Sequence, residues 1–283
     1  MKHLSCLAFA AFLLLPLCLH AQTVLNTRNT ESVLYLPDTR QPHALVVGLG
    51  GSEGGNAWTS DRWKQTRDRF LEKGYAFLAI GYFGAKGTPP MLDKIAIDAV
   101  HEAIETARKE PGVDPKKTAI VGGSRGGDLA LLLGSYYPDI SCVVGIVSSH
   151  AVFPGHTMHF TSSCWTFGGS ELPFIPASRE SVPFILKRDL RGAFETMLKD
   201  TAAERRALIP VERIKGPVFL LSATQDEICP STPMAEKMMA RFRATGFKYT
   251  FEHVAVEGKH TAPLDKFDLV FKFLDTHFPA KQG

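Results

Sequence analysis

Apolar residues in this chain come in short unbroken runs that stop at glycine or polar residues, and between the runs they recur at helical spacing. His43-Ala-Leu-Val-Val-Gly-Leu49 contains no polar position after His43 and stops at a glycine pair. A run without alternation is the pattern of a strand covered on both faces. Residues 75–82, 118–122, 142–148 and 217–222 read the same way, and 249–255 reads as a further strand. Helical stretches separate them: 61–73, with Trp63, Phe70 and Leu71 toward one side; 92–109, with Ile95, Ala99 and Ala103 at turn spacing; then 128–137, 232–245 and 265–278. Apolar strands alternating with amphipathic helices predict an α/β fold, a mostly parallel sheet with helices on both faces.

The alternation fails between residues 152 and 214. That stretch holds Pro154, Pro173, Pro176, Pro183 and Pro210 among the aromatics Phe153, Phe160, Trp165, Phe167, Phe174, Phe184 and Phe194. A structureless loop of that length is rare inside a domain. The expectation is a mainly helical lid insertion over the carboxyl edge of the sheet, its aromatics walling a substrate pocket.

The amino terminus has its own pattern. A basic start at Lys2 and His3 leads into an apolar run from Leu4 to Leu19, broken by Pro16, and His20-Ala21-Gln22 ends it. This is the three-part pattern of a secretory signal peptide cleaved after Ala21, so residues 1–21 are read as signal and 22–283 as an exported, secreted or periplasmic domain. The run is short for a spanning helix, and no stable membrane insertion is expected. Cys142, Cys164 and Cys229 come after the signal. Their spacing fits no metal site, so no metal is expected, and at most one disulfide, Cys142–Cys164, is available beside buried free thiols. A net charge of +3, without a Lys/Arg run, gives no basis for nucleic acid as a partner. Nothing in the sequence fixes the oligomeric state.

The candidate chemistry lies where strands end. Gly122-Gly-Ser124-Arg-Gly126 sits between a predicted strand and a helix. Glycines around a serine allow the sharp turn that lifts its hydroxyl above the sheet, and the N–H after it points at a developing oxyanion. Gly50-Gly-Ser52-Glu-Gly54 matches the same pattern, but residues 55–59 intervene before the next helix. That loop is read as the second half of an oxyanion hole, with Arg125 giving one backbone donor and Gly51 or Ser52 the other. Asp226, past the strand 217–222, suits the carboxylate, with Glu227 as fallback; His260, past the strand 249–255, suits the base. His150, His156, His159, His253 and His277 are assigned to packing or surface; Arg125 is read as a helix-start salt bridge in preference to a contact with an acidic substrate group, and Glu53 as a solvated loop carboxylate in preference to a substrate contact.

Leu49-Gly-Gly-Ser-Glu-Gly-Gly55, Ser124-Arg-Gly-Gly-Asp-Leu-Ala-Leu131, Asp226-Glu-Ile-Cys-Pro-Ser231 with Met234-Ala235, and Gly258-Lys-His260 together resemble the α/β-hydrolase superfamily. Within it they are similar to the carboxyl-terminal domain of the acyl-CoA thioesterase and bile-acid-CoA:amino-acid N-acyltransferase family, near dienelactone-hydrolase-like proteins. The resemblance covers about residues 42–278. It implies Ser124, Asp226 and His260 as catalytic nucleophile, acid and base, an ester or thioester as small-molecule substrate, and no cofactor. Acyltransferase members carry an extra amino-terminal β-domain, for which residues 22–41 are too short, and amide-forming members use cysteine where this chain has Ser124. The expected function is therefore a secreted serine hydrolase. The alternatives are an acyltransferase to a non-water acceptor, an exported peptidase, or a non-catalytic binding protein of the same fold.

Overall fold

The computed structural model describes residues 21–39 and 41–280. Of the expected signal segment, residues 1–21, all but Ala21 lies outside them, and Ala21 opens the first strand. The strands are β1 Ala21–Leu25, β2 Glu31–Leu36, β3 His43–Leu49, β4 Ala76–Gly81, β5 Ile95–Ala96, β6 Val113–Gly123, β7 Cys142–Ile146, β8 Trp165–Phe167, β9 Ser170–Glu171, β10 Val218–Ala223 and β11 Phe251–Val256. The helices are α1 Asp61–Glu72, α2 Ile97–Ala107, α3 Arg125–Tyr136, α4 Val182–Leu186, α5 Leu190–Met197, α6 Thr201–Ala207, α7 Ser231–Ala244 and α8 Phe267–His277.

An eight-stranded sheet runs in the order β1-β2-β4-β3-β6-β7-β10-β11. From β4 to β11 every pairing is parallel, while β2 is antiparallel to both β1 and β4. The order reverses beside β3, so the chain leaves β3 and β6 toward opposite sides and opens a crevice at their carboxyl ends, the usual ligand position in such sheets. β3 is buried along its whole length. Its Leu45, Val47 and Leu49 face the core under α2, α3 and α7, while Ala44 and Val46 face the core under α1 and α8. Two apolar faces explain why the sequence shows runs rather than alternation.

Two expectations change. The helix read from residue 92 begins at Ile97; Lys94 has φ 51°, which ends helical geometry, and Ile95–Ala96 pairs in parallel with Trp165–Thr166. The strands β1 and β2 are additions to the elements expected from the sequence. Residues 152–214 hold α4, α5 and α6, and also the short strands β8 and β9. Phe153, Ile175, Ala193 and Met197 of that stretch pack with Ala151 and with Met234 of α7 in a separate core. Cys142, Cys164 and Cys229 are all free and buried. Among the described residues no helix is long and apolar enough to cross a membrane.

Candidate active site

Ser124 stands between β6 and α3 with φ 54° and ψ −122°. A non-glycine residue pays about 1–3 kcal/mol for such a backbone, and it persists only where the surroundings fix it. They do so through hydrogen bonds. Its N–H donates to the Ile146 carbonyl at 2.8 Å, and its own carbonyl accepts from the N–H groups of Gly127 and Asp128 at 2.9 and 3.2 Å. The flanking glycines are required by space. A Cβ on Gly122 would lie 1.9 Å from the Gly126 carbonyl oxygen, and one on Gly126 would lie 2.2 Å from that of Gly50. The turn and the loop after β3 are thus packed backbone against backbone.

That loop comes close to the serine: a Cβ on Gly51 would lie 3.2 Å from Ser124 Cβ. The buried Tyr82 phenol donates to the Gly50 carbonyl at 2.7 Å. C=O and N–H of a trans peptide point in opposite directions, so this bond fixes where the Gly51 N–H is aimed. Burial pushes the Tyr82 phenol well above its ordinary pKa, so it stays a donor. The Arg125 N–H begins α3, where a helix has no carbonyl of its own to offer.

Asp226 lies just past β10 and is fully buried. One carboxylate oxygen accepts from the Ile228 and Cys229 N–H groups at 3.0 Å each, and the other accepts from the Ser231 hydroxyl at 2.6 Å. His260 Nδ1 stands 2.9 Å from both. Burial alone would raise the carboxyl pKa. The hydrogen bonds from His260 and Ser231, the imidazole's charge and the Cys229 N–H overcome it and hold the group below its ordinary range. Glu227, the fallback acid, accepts from the His260 backbone N–H at 2.9 Å and so holds the loop rather than the ring. Arg191 of α5 donates to the Asp226 carbonyl at 2.7 Å, a link from the insertion that sequence reasoning missed.

The structure therefore brings Asp226 and His260 into direct contact. The hydrogen bonds of the His260 ring go to Asp226; none to Ser124 is formed among the described residues. His260 and Ser124 share the lining of one cavity of about 510 Å³, with Gly51, Ser52, Trp58 and Trp63. A second cavity, about 410 Å³, reaches Ser52 and Ser124 from the insertion's side, with Arg125, Phe194 and Met197 on its walls. Ser124 thus lies where two cavities meet. Of the other histidines, His150 is buried against Glu204 and His253 bonds Ser222 within the sheet, as packing residues do.

Asp226, Cys229 and His260 offer ligand atoms within 4.8 Å of one another, as do His101, Glu105 and Asp139. Neither set suits a metal. The Asp226 oxygens already accept five hydrogen bonds from nitrogen and hydroxyl donors, and burial pushes the Cys229 thiol far above the range where a thiolate forms. In the second set, Asp139 and Glu105 are both engaged by Arg108.

Residues 95–261 match the family described as BAAT / Acyl-CoA thioester hydrolase C terminal. The chain is 25% identical over 218 residues to rat acyl-coenzyme A thioesterase 1, covering 77% of this chain and 48% of that one. It is 22% identical over 220 residues to human mitochondrial acyl-coenzyme A thioesterase 2, covering 77% and 42%. The chain thus spans about half the length of these relatives. Among solved structures it resembles a Pyrococcus furiosus esterase, at TM-score 0.62 and 13% identity over 91% of each chain. It also resembles a puromycin-hydrolyzing peptidase of Mycobacterium tuberculosis, at TM-score 0.64 and 14% identity over 93% of this chain and 40% of that one. These likenesses show the α/β-hydrolase fold expected from the sequence.

Proposed function

The chain belongs to the BAAT / acyl-CoA thioester hydrolase C-terminal family, and from that premise we propose that it is an exported serine hydrolase of carboxylic esters or thioesters. The observation that carries the reading is the strained Ser124 at the head of α3, sharing a cavity with an imidazole held by a buried carboxylate. In this reading His260 Nε2 takes the Ser124 proton as the oxygen attacks the acyl carbon. The N–H groups of Arg125 and of Gly51 or Ser52 receive the oxyanion, each donor contributing about 3 kcal/mol. Asp226 fixes the proton on Nδ1 and steadies the imidazolium. His260 then protonates the leaving group and activates the water that clears the acyl-enzyme.

This chemistry assigns the two cavities. The leaving group must lie on the side of the proton donor, so it takes the cavity that His260 lines. The acyl group takes the other, under residues of the insertion. In that role residues 152–214 act as a lid, tied to the site by Arg191. Secreted or periplasmic location rests on the sequence of residues 1–21. Cleavage after Ala21 leaves Gln22–Leu25 to pair with β2, and sequencing the mature protein should find Gln22 first. The activity is tested on p-nitrophenyl esters and thioesters of graded acyl length. The expected result is turnover of a subset of lengths. A folded protein that cleaves none of them faster than buffer would overturn the reading.

A further inference from the structure

We infer that the leaving group of the substrate is an uncharged aromatic alcohol or thiol that packs on Trp63, and not coenzyme A. The inference rests on the hydrolase reading and names the leaving-group class of that site. The leaving atom takes a proton from His260 Nε2 as its bond to the acyl carbon breaks, and departs as a neutral alcohol or thiol. It therefore lies in the cavity that His260 lines. At about 510 Å³ that cavity is of a size that encloses a small molecule.

One wall of it is aromatic. Trp58 is buried and fixed from several sides. Its ring lies 5.0 Å from that of Phe77 and 5.8 Å, edge-on, from that of Phe267. Its carbonyl accepts from the buried Arg67 at 2.6 Å, and a Cβ on Gly48 would lie 2.8 Å from the indole. Trp63, in the first turn of α1, leans on this fixed ring at 4.5 Å and on Phe267 at 5.5 Å. Unlike Trp58, it is only partly buried, and it too lines the cavity. Rigid neighbours thus hold an indole whose surface is not fully covered. Ile228 and Leu264 extend the apolar lining. An aromatic ring placed there gains more than its buried area alone, because edge and face of the rings attract; an aliphatic group of equal size does not.

The charges on the wall point the same way. Glu53 and Arg62 are exposed and of opposite sign. Arg62 lies against the Trp63 ring, its central carbon 5.8 Å from the centroid. The Glu53 carboxylate stands by the oxyanion loop, where a Cβ on Gly51 would lie 2.8 Å from it. A nearly neutral wall with a carboxylate beside the reacting centre suits an uncharged leaving group. The phosphate groups of coenzyme A call instead for several cations.

The test keeps one acyl group throughout, the length cleaved best in the graded series, and varies the thiol. Thioesters of benzyl mercaptan, of cyclohexylmethanethiol and of coenzyme A are compared. The first two differ in aromaticity at nearly equal size. The full chain should cleave the benzyl thioester at least about 5-fold faster, by kcat/KM, than either of the others. In Trp63→Leu the benzyl-to-cyclohexylmethyl ratio should fall to about 2-fold or less, and Trp63→Phe, which keeps a ring, should retain most of it. Equal or better cleavage of the cyclohexylmethyl or coenzyme A thioester by the unaltered protein overturns the inference, as does a ratio unchanged in folded Trp63→Leu. If no thioester is cleaved, the hydrolase reading fails separately. In that case, or if Trp63→Leu does not fold, saturation-transfer NMR of the unaltered protein with benzyl alcohol against cyclohexylmethanol decides the site. Transfer to benzyl alcohol alone sustains it, and transfer to neither or to both equally refutes it.

Discussion

Two loops in this protein carry the same five-residue pattern, Gly-Gly-Ser-x-Gly, and the fold treats them differently. At Ser124 the strand runs straight into a helix, and the serine takes φ 54° at the join. At Ser52 no positive φ is needed; the turn is made by Gly54 and Gly55, both at φ 70°, and the serine is exposed. The cause lies in the residues on the carboxyl side of each serine. An immediate helix start leaves a backbone N–H unpaired beside Ser124, whereas the glycine loop spreads its turn over several residues. The pattern fixes neither outcome; the distance to the next helix does. The two loops also depend on each other, since Gly126 leaves room for no side chain against the Gly50 carbonyl.

The largest expected contrast is in turnover. Ser124→Ala should lower kcat/KM on a cleaved ester by about 10⁵-fold or more, as loss of a nucleophile does. Ser52→Ala should cost less than about 10-fold, since only its backbone is used. Equal losses would erase the distinction between the loops. Next comes Asp226→Asn, which should lower kcat by about 10⁴-fold through the wrong histidine tautomer.

The same variant has a stability signature. The Asp226 carboxyl lies below its ordinary 3.8 in the fold, so its contribution is complete above that pH and is lost as pH falls through the depressed value. Asp128 has the opposite sign. Burial, opposed by Arg125, raises it from 3.8 to about 6, so the folded state holds its proton more tightly and stability falls as pH rises through that window. Urea unfolding across acid pH should lose the first slope in Asp226→Asn and the second in Asp128→Asn.

Packing gives a smaller contrast. Gly126→Ala should destabilise by about 3 kcal/mol or more, because backbone must move. Gly55→Ala meets nothing within 4 Å and should cost about 1–2 kcal/mol for its positive φ alone. Thermal or urea unfolding separates them. A further modest effect is expected for Tyr82→Phe. It releases the Gly50 carbonyl and should lower kcat about 10-fold with little change in KM, at a stability cost of about 1 kcal/mol. An unchanged kcat would mean that the Gly51 N–H is not aimed by this bond.

Much of this is legible in the sequence, for a physical reason. Strands buried on both faces write continuous apolar runs, so β3, β4, β6, β7 and β10 are found within a few residues. Strand ends then locate Ser124, Asp226 and His260. The antiparallel β1 and β2 escape because the apolar run of β2, Val33-Leu-Tyr-Leu36, is only four residues long and Ala21-Gln-Thr-Val-Leu25 has none of that length. The start of α2 is misplaced because Ile95 fits helical spacing, while its backbone N–H bonds the Cys164 carbonyl far along the chain. Tyr82, Glu227 and Arg191 hold the site through backbone carbonyls and N–H groups. Such contacts are made by folding and leave no pattern in side-chain order. Arg125 reads from sequence as a helix-start ion pair or a contact to an acidic substrate group; the structure shows the pair, a single bond to Asp128.

The most direct test of the central claim is to map the adduct of a fluorophosphonate probe on the folded protein by peptide mass spectrometry. The expected result is a single adduct on Ser124, formed far more slowly in His260→Ala. An adduct on Ser52, or a labelling rate at Ser124 indifferent to His260, would contradict it.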